Sequence, residues 1–515
     1  METLKEKVTL NEEYVLNYYL SELMEGKINY LENRENYKNR IAKYIVDLRD
    51  SNNINEKINN AKKLWKVLFE AAMTYIDEDK RGYDRLFKFF DEYVEFEELI
   101  FASDSFYRDH TLHCLWVYFL GEYINKEKQF SEIVKDREEE INREKQIYED
   151  LKSLEYYIDF KETLNIFKLS AQRHDYDDAV RCVAALTHDL GYPLKKIEKI
   201  NKSISNVMPY FAINNFNEYN FQYSNVNQKY INEFIDFMAT DIEFNCTTNN
   251  DKGSKVIEKI FELDNLGHMI KVKKEEVLKL NDEEKQVLSK VLKYKIKSFK
   301  SKSRLFDYEN DFEQYKHGIM SAFLLMKNVK SFSRVLFNET YELALRDINI
   351  IDFSSKLQIL QAVSDHTNSG YHITSIDNTS SFLTLVDELE EFSRISRANQ
   401  NREYVEQFCS TNIYMDDDWL NIDFIFDNTE IDNLDPERAF KGRCERFLSL
   451  FNIPKLSENL KIRLKCIGKL PYDNNTYTLE IARKYAKITI NDEEKNIPSY
   501  LKSKEFYSRE EYENN

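Results

Sequence analysis

Apolar residues recur at helical spacing through most of this chain. Trp65, Leu68, Phe69 and Ala72 fall at i, i+3, i+4 and i+7, and Leu86, Phe89, Phe90 and Tyr93 repeat the spacing. Residues 1–100 therefore predict helices with one apolar face, a layer packed on the rest. The pattern continues to about residue 400, interrupted by polar stretches. Asn125 to Glu155 carries mixed charges and reads as a solvated helix or helical hairpin. Tyr210 to Asn250 is rich in Asn, Phe and Tyr and reads as a long insertion or lid. Lys271 to Lys302 is strongly basic and reads as a solvated helix face, or more sharply as a local surface that attracts anions. After residue 400 the period changes. Asn421 to Phe426 alternates, as do Leu460, Ile462 and Leu464, and Ala486, Ile488 and Ile490. Asp435-Pro436 opens a helix with Phe440, Cys444, Phe447 and Leu448 on one face, and Asp473-Asn474-Asn475 turns before a strand at Tyr477 to Ile481. The tail from Lys502 to Asn515 is charged and expected to fray.

Three regions follow: an N-terminal helical region (1–100), a central helical domain (101–400) with insertions near 125–160 and 205–300, and a small C-terminal α/β region (401–515). Composition agrees. The 515 residues include 10 Gly and 6 Pro, too few for a turn-rich β-protein, and 42% are apolar, enough for a core.

Charge narrows the partners. Lys+Arg 73 against Asp+Glu 91 gives a net −18, which opposes nucleic-acid backbones and anionic membrane surfaces. No apolar run reaches the roughly 20 residues of a membrane span. The N-terminal METLKEKVTLNEE lacks the apolar core of a signal peptide. The six cysteines form no CxxC. A cytoplasmic protein is expected, and a homo-oligomer is compatible with the sequence.

The chemistry gathers in the centre. All eight histidines lie between residues 101 and 400. At Ala184-Ala185-Leu186-Thr187-His188-Asp189-Leu190-Gly191-Tyr192-Pro193 an apolar helix runs into adjacent His and Asp, then breakers. An imidazole beside a carboxylate suits a divalent transition metal. His174-Asp175 is a similar doublet but lacks the small apolar lead-in. Other ionisable residues sit on apolar helix faces: His113 with Val117 and Leu120, His317 with Met320 and Leu324, His366 after Ile359, Ala362 and Val363, and Asp387 after Phe382 to Val386. A buried imidazole or carboxylate without a partner is costly, and a shared metal explains several at once.

This ordered pattern resembles the HD-domain metal-dependent phosphohydrolases. Arg108-Asp109-His110-Thr111-Leu112-His113, with Val117 and Gly121, resembles their first-histidine helix. His188-Asp189 resembles the signature doublet, and His317-Gly318-Ile319-Met320-Ser321-Ala322 and Ala362-Val363 with His366 the added-histidine helices of binuclear members. Asp387-Glu388-Leu389-Glu390-Glu391-Phe392 with Arg394 resembles the closing-aspartate helix. The intervals from His113 to His188 and from Asp189 to His317 are long for the family.

The resemblance implies a mainly α, phosphodiesterase-like bundle and one or two divalent ions (manganese, iron, nickel, cobalt or magnesium). His113, His188 and Asp387 would hold one ion, His317 and His366 the other, with Asp189 between them. A metal-activated hydroxide would cleave a phosphoester or phosphoanhydride in a small nucleotide-type substrate. His110, Arg108, Lys195 and Arg394 would contact substrate or leaving group, with His372 and Asp365 as reserve ligands. Two other functions fit the same residues: an HD nuclease on single-stranded nucleic acid, using Lys271 to Lys302 at its entrance, or a non-catalytic HD scaffold binding a nucleotide or a protein.

Overall fold

A computed structural model describes residues 9–101, 106–156, 168, 172, 174–211, 225–247, 251–263, 269–291, 293–333, 350–392, 394–396, 409–429 and 434–496. The chain is mainly helical, with a small C-terminal sheet. The first helices pack directly on the central ones. Trp65, Leu68, Phe69 and Ala72 are all fully buried. The Trp65 indole donates to the carbonyl of Leu186 (2.7 Å), in the last turn of the helix that leads to His188. Tyr19 and Tyr30 place their hydroxyls 2.9 Å from that of Tyr118. One hydrophobic core runs from Leu10 through the central helices to Ile488.

Four helices frame the centre: His110–Lys126, Asp177–Thr187, His317–Asn328 and Thr379–Leu389, with Ile350–Asp365 packed between them. The first is almost entirely buried because apolar side chains surround it, so it reads as a core helix more than a surface one.

The insertions depart from expectation. Residues 225–238 are no lid: helix Asn225–Met238 buries Phe234 and Met238, with the Phe234 ring 5.3 Å from that of Phe323. Residues 212–224 and 248–250 lie outside the described residues. Lys271 to Lys302 is not one solvated helix. It takes in the end of β4 (Met269–Val272), two helices (Lys274–Leu278 and Asp282–Val291) and β5 (Lys293–Lys300). β4 pairs antiparallel with β3 (Phe261–Leu263), and β5 with β2 (Thr240–Thr247). Helix Lys135–Ser153 is solvated on most of its surface, yet buries Ile147 and Leu151 against Val256, Ile260, Val272 and Val277. The two interruptions thus share a satellite core of their own.

The C-terminal sheet orders its strands β12-β11-β10-β9-β8-β7. These are β7 (Ser410–Asp416), β8 (Trp419–Phe426), β9 (Ile462–Gly468), β10 (Thr476–Ala482), β11 (Tyr485–Ile490) and β12 (Glu493–Lys495). β8 and β9 run parallel, so the chain must cross over between them, and helix Pro436–Leu450 makes that crossover. Its Phe440, Cys444, Phe447 and Leu448 are buried on the same face as Ile422, Leu464 and Leu479. β7 and β12 extend the expected sheet at both edges. The tail from 497 lies outside the described residues. No helix among the described residues is long and apolar enough to cross a membrane.

Candidate metal centre

The helix Asp177–Thr187 ends at His188, and Pro193 opens the next helix, Tyr192–Val207. Adjacent residues diverge by about 100° within a helix. Here the turn at the helix end brings His188 and Asp189 to one centre. Two glycines let the helices close on it. A Cβ on Gly191 would lie 2.3 Å from the carbonyl oxygen of His317 and 2.7 Å from the amide of Ser321. A Cβ on Gly318 would lie 2.6 Å from the carbonyl of Val363. Ser321 pins the turn, accepting from the Gly191 amide (2.7 Å) and donating to the carbonyl of His188 (2.7 Å).

Six side chains converge: His113, His188, Asp189, His317, His366 and Asp387. Each imidazole turns Nε2 inward. One oxygen of Asp189, Oδ2, lies 3.4 Å from His188 and 3.6 Å from His113. The other, Oδ1, lies 3.2 Å from His317 and 3.7 Å from His366. Asp387 Oδ1 is 2.8 Å from Nε2 of His113 and 3.8 Å from that of His188. Overlapping triads within the group bring their ligand atoms within 4.8 Å of one another.

Three of the four opposite ring nitrogens are tied down, and Nδ1 of His317 is buried without a hydrogen-bond partner. Nδ1 of His188 donates to the Ala185 carbonyl and Nδ1 of His366 to the Val363 carbonyl, 2.7 Å each. A carbonyl only accepts, so each Nδ1 carries a proton, which leaves Nε2 as the atom free to ligate once it is deprotonated. Nδ1 of His113 lies 2.5 Å from Glu390 Oε2.

His188 and Asp189 stabilise each other's charge. Burial raises the cost of charge on Asp189, yet His188 holds its carboxyl well below the usual range. Burial likewise opposes charge on His188, and Asp189 overcomes it, leaving the imidazole raised. Burial lowers His317 to about 4, so it is neutral near pH 7. Nε2 of His366 is buried without a hydrogen-bond partner. A buried orphan acceptor of this kind is costly. The donor set, mixed imidazole and carboxylate, fits a divalent metal.

The remaining expected residues are dispersed. His110 stands beside the group, its ring 6.3 Å from that of His113. Its Nδ1 faces Glu97 (2.8 Å), and its ring lies 3.8 Å from that of Tyr192. Lys195 is exposed, and its charge contributes to lowering His317. Arg108 and Arg394 are register partners in a short antiparallel ribbon, β1 (Phe106–Arg108) with β6 (Arg394–Ser396). The two reserve residues lie elsewhere, which corrects that expectation. Asp365 accepts from Tyr308 and Ser380, and His372 donates to the Ser449 carbonyl, anchoring the C-terminal helix.

Several residues were not singled out in the sequence. Glu390 holds His113, and Glu97 holds His110. Glu97 continues the stripe of Phe90 and Tyr93, an acid at an apolar position, which is a readable signal. Arg446 donates to Glu388 (2.6 Å) and to the His366 carbonyl (3.3 Å), so the C-terminal region braces two of the site's elements. No family model matches this chain, and no curated protein or solved structure does.

Proposed function

We propose that this protein is a metal-dependent phosphohydrolase of the HD type, acting on a small nucleotide-like phosphate ester or anhydride. One observation carries the reading: the two oxygens of Asp189 face two different pairs of imidazoles. A carboxylate so placed suits two cations, one held with His113, His188 and Asp387, the other with His317 and His366. Bound divalent ions there supply a nucleophile from water near neutral pH and offset charge growing on the phosphoryl oxygens. The chain's own residues do the rest. Glu390 and the carbonyls of Ala185 and Val363 hold the imidazoles in their ligating tautomers. Glu97 fixes His110 through Nδ1, so Nε2 is where His110 holds or gives up a proton to the leaving group. Lys195, whose charge reaches His317, supplies positive charge for further phosphoryl groups.

The net −18 favours a small substrate held by metal over a polymer held by basic residues. The test is to incubate the protein with Mn²⁺ and a panel of mononucleotides, cyclic mononucleotides and oligonucleotides, separated by chromatography. Mononucleotide turnover that is lost in Asp189→Asn supports the reading. Turnover of oligonucleotides alone points instead to a nuclease. Binding of a nucleotide without turnover points to a scaffold.

A further inference from the structure

A cavity of about 290 Å³ opens between the Ile350–Asp365 helix and the start of the Thr379–Leu389 helix. That volume is near the lower bound of small-molecule sites, roughly 300 Å³. None of the six residues of the metal centre lines it. The two features abut, however. Ser380, in the cavity wall, donates to Asp365 (2.9 Å), the residue before His366.

Every lining residue among the described ones carries a polar group, which favours a polar ligand. The lining also carries no excess of positive charge. Arg137 and Arg304 face three carboxylates, those of Glu140, Asp177 and Asp377. Asp177 already accepts from Arg137 (2.8 Å) and His174 (3.1 Å). No net positive field is left to recruit a phosphate. Two groups in the lining are uncommitted among the described residues. The carboxamide of Gln358 and the hydroxyl of Thr379 make no hydrogen bond to any described residue. Gln361, one turn on from Gln358, is held by the carbonyls of Met238 and Thr240, 3.1 Å each. The Tyr371 ring completes the wall, with its hydroxyl tied to Ser381.

We propose that this cavity binds a purine nucleoside of the adenosine type, without phosphate. The Gln358 carboxamide presents one donor and one acceptor side by side, the complement of the adenine N6/N7 edge. The Tyr371 ring offers a face on which a base stacks. Thr379 and Asp377 meet the ribose hydroxyls. The site does not depend on the metal centre or on hydrolysis there.

Calorimetric titration of the full chain with adenosine tests it. Wild type binds adenosine, and AMP binds no more tightly. Gln358→Leu weakens adenosine about tenfold or more while melting like wild type, since that side chain has no hydrogen bond to a described residue to lose. Thr379→Val is the second variant should Gln358→Leu not fold. Asp189→Asn, or Asp387→Asn if that chain does not fold, binds adenosine as wild type does. Absence of adenosine binding by wild type overturns the proposal. So does unchanged affinity in the folded cavity variant, or loss of binding in the metal-centre variant, which would put adenosine at the metal instead.

Discussion

Glu390 places Oε2 2.5 Å from Nδ1 of His113, and both side chains are shut off from water. The same imidazole turns Nε2 to Asp387 at 2.8 Å. One helix end therefore grips His113 from both sides. A carboxylate behind a ligating imidazole raises its basicity and fixes its orientation. Glu390→Gln keeps the shape but removes the charge. Its metal affinity should fall by about 10–100-fold. Competition with a chelating dye measures this. Unchanged affinity would reduce Glu390 to a packing role.

Asp189 and Asp387 should differ in how much metal each controls. Asp189 has oxygens within 4 Å of both pairs of imidazoles, whereas Asp387 comes that close to His113 and His188 and shares a wider triad, within 4.8 Å, with His188 and His366. Asp189→Asn should therefore empty the centre. Asp387→Asn should leave the ion held by His317, His366 and Asp189. Elemental analysis of the purified variants reads the difference. Equal metal content in the two variants would contradict the shared role of Asp189. Turnover should fall by about 10²–10³-fold or more in Asp189→Asn, the scale for losing charge stabilisation at a reacting centre.

Much of this centre was legible in the sequence because its side chains break apolar stripes. His113, His317 and Asp387 occupy helix positions where neighbours three and four residues away are buried. Glu390 was not legible. It sits in an acidic run with Glu388 and Glu391, and nothing local says which acid faces inward. Arg446 takes Glu388 and Arg443 takes Glu391, partners more than fifty residues on in sequence. β5 was missed for a different reason. Lys293, Lys295 and Lys297 alternate with Tyr294, Ile296 and Ser298, a period of two that the charge obscured. The satellite core was invisible because Ile147 and Leu151 find their partners more than a hundred residues later.

Gly191 should be irreplaceable for steric reasons, and Gly442 should not. A methyl on Gly191 would lie 2.6 Å from Met320 Cβ as well as against the His317 backbone. Gly191→Ala must push the His317 helix away. A cost of about 1–3 kcal/mol is expected, with weaker metal binding. Gly442 lies in helix Pro436–Leu450, exposed, with nothing within 4 Å of its added Cβ. Gly442→Ala should stabilise by about 0.5–1 kcal/mol through helix propensity alone. Paired urea denaturation checks both signs.

Asp109 predicts a pH dependence of stability. It caps the His110–Lys126 helix, accepting from the amides of Thr111 and Leu112, 3.0 Å each. Burial, helped by the charge of Glu97, pushes its carboxyl up to about 6. The unfolded chain releases that proton near pH 4. Between about pH 4 and about pH 6 the folded state therefore binds more protons than the unfolded one. Stability from this group is full below that window, falls as pH rises through it, and is flat above. Asp109→Asn keeps the accepting oxygen and never ionises. Its advantage over wild type should be near zero at about pH 4 and reach about 2–3 kcal/mol by about pH 7. Denaturation of both chains at the two pH values isolates the group, because titrations of groups that do not interact with Asp109 cancel in the difference. A gap that stays constant with pH would mean that Asp109 does not carry this strain.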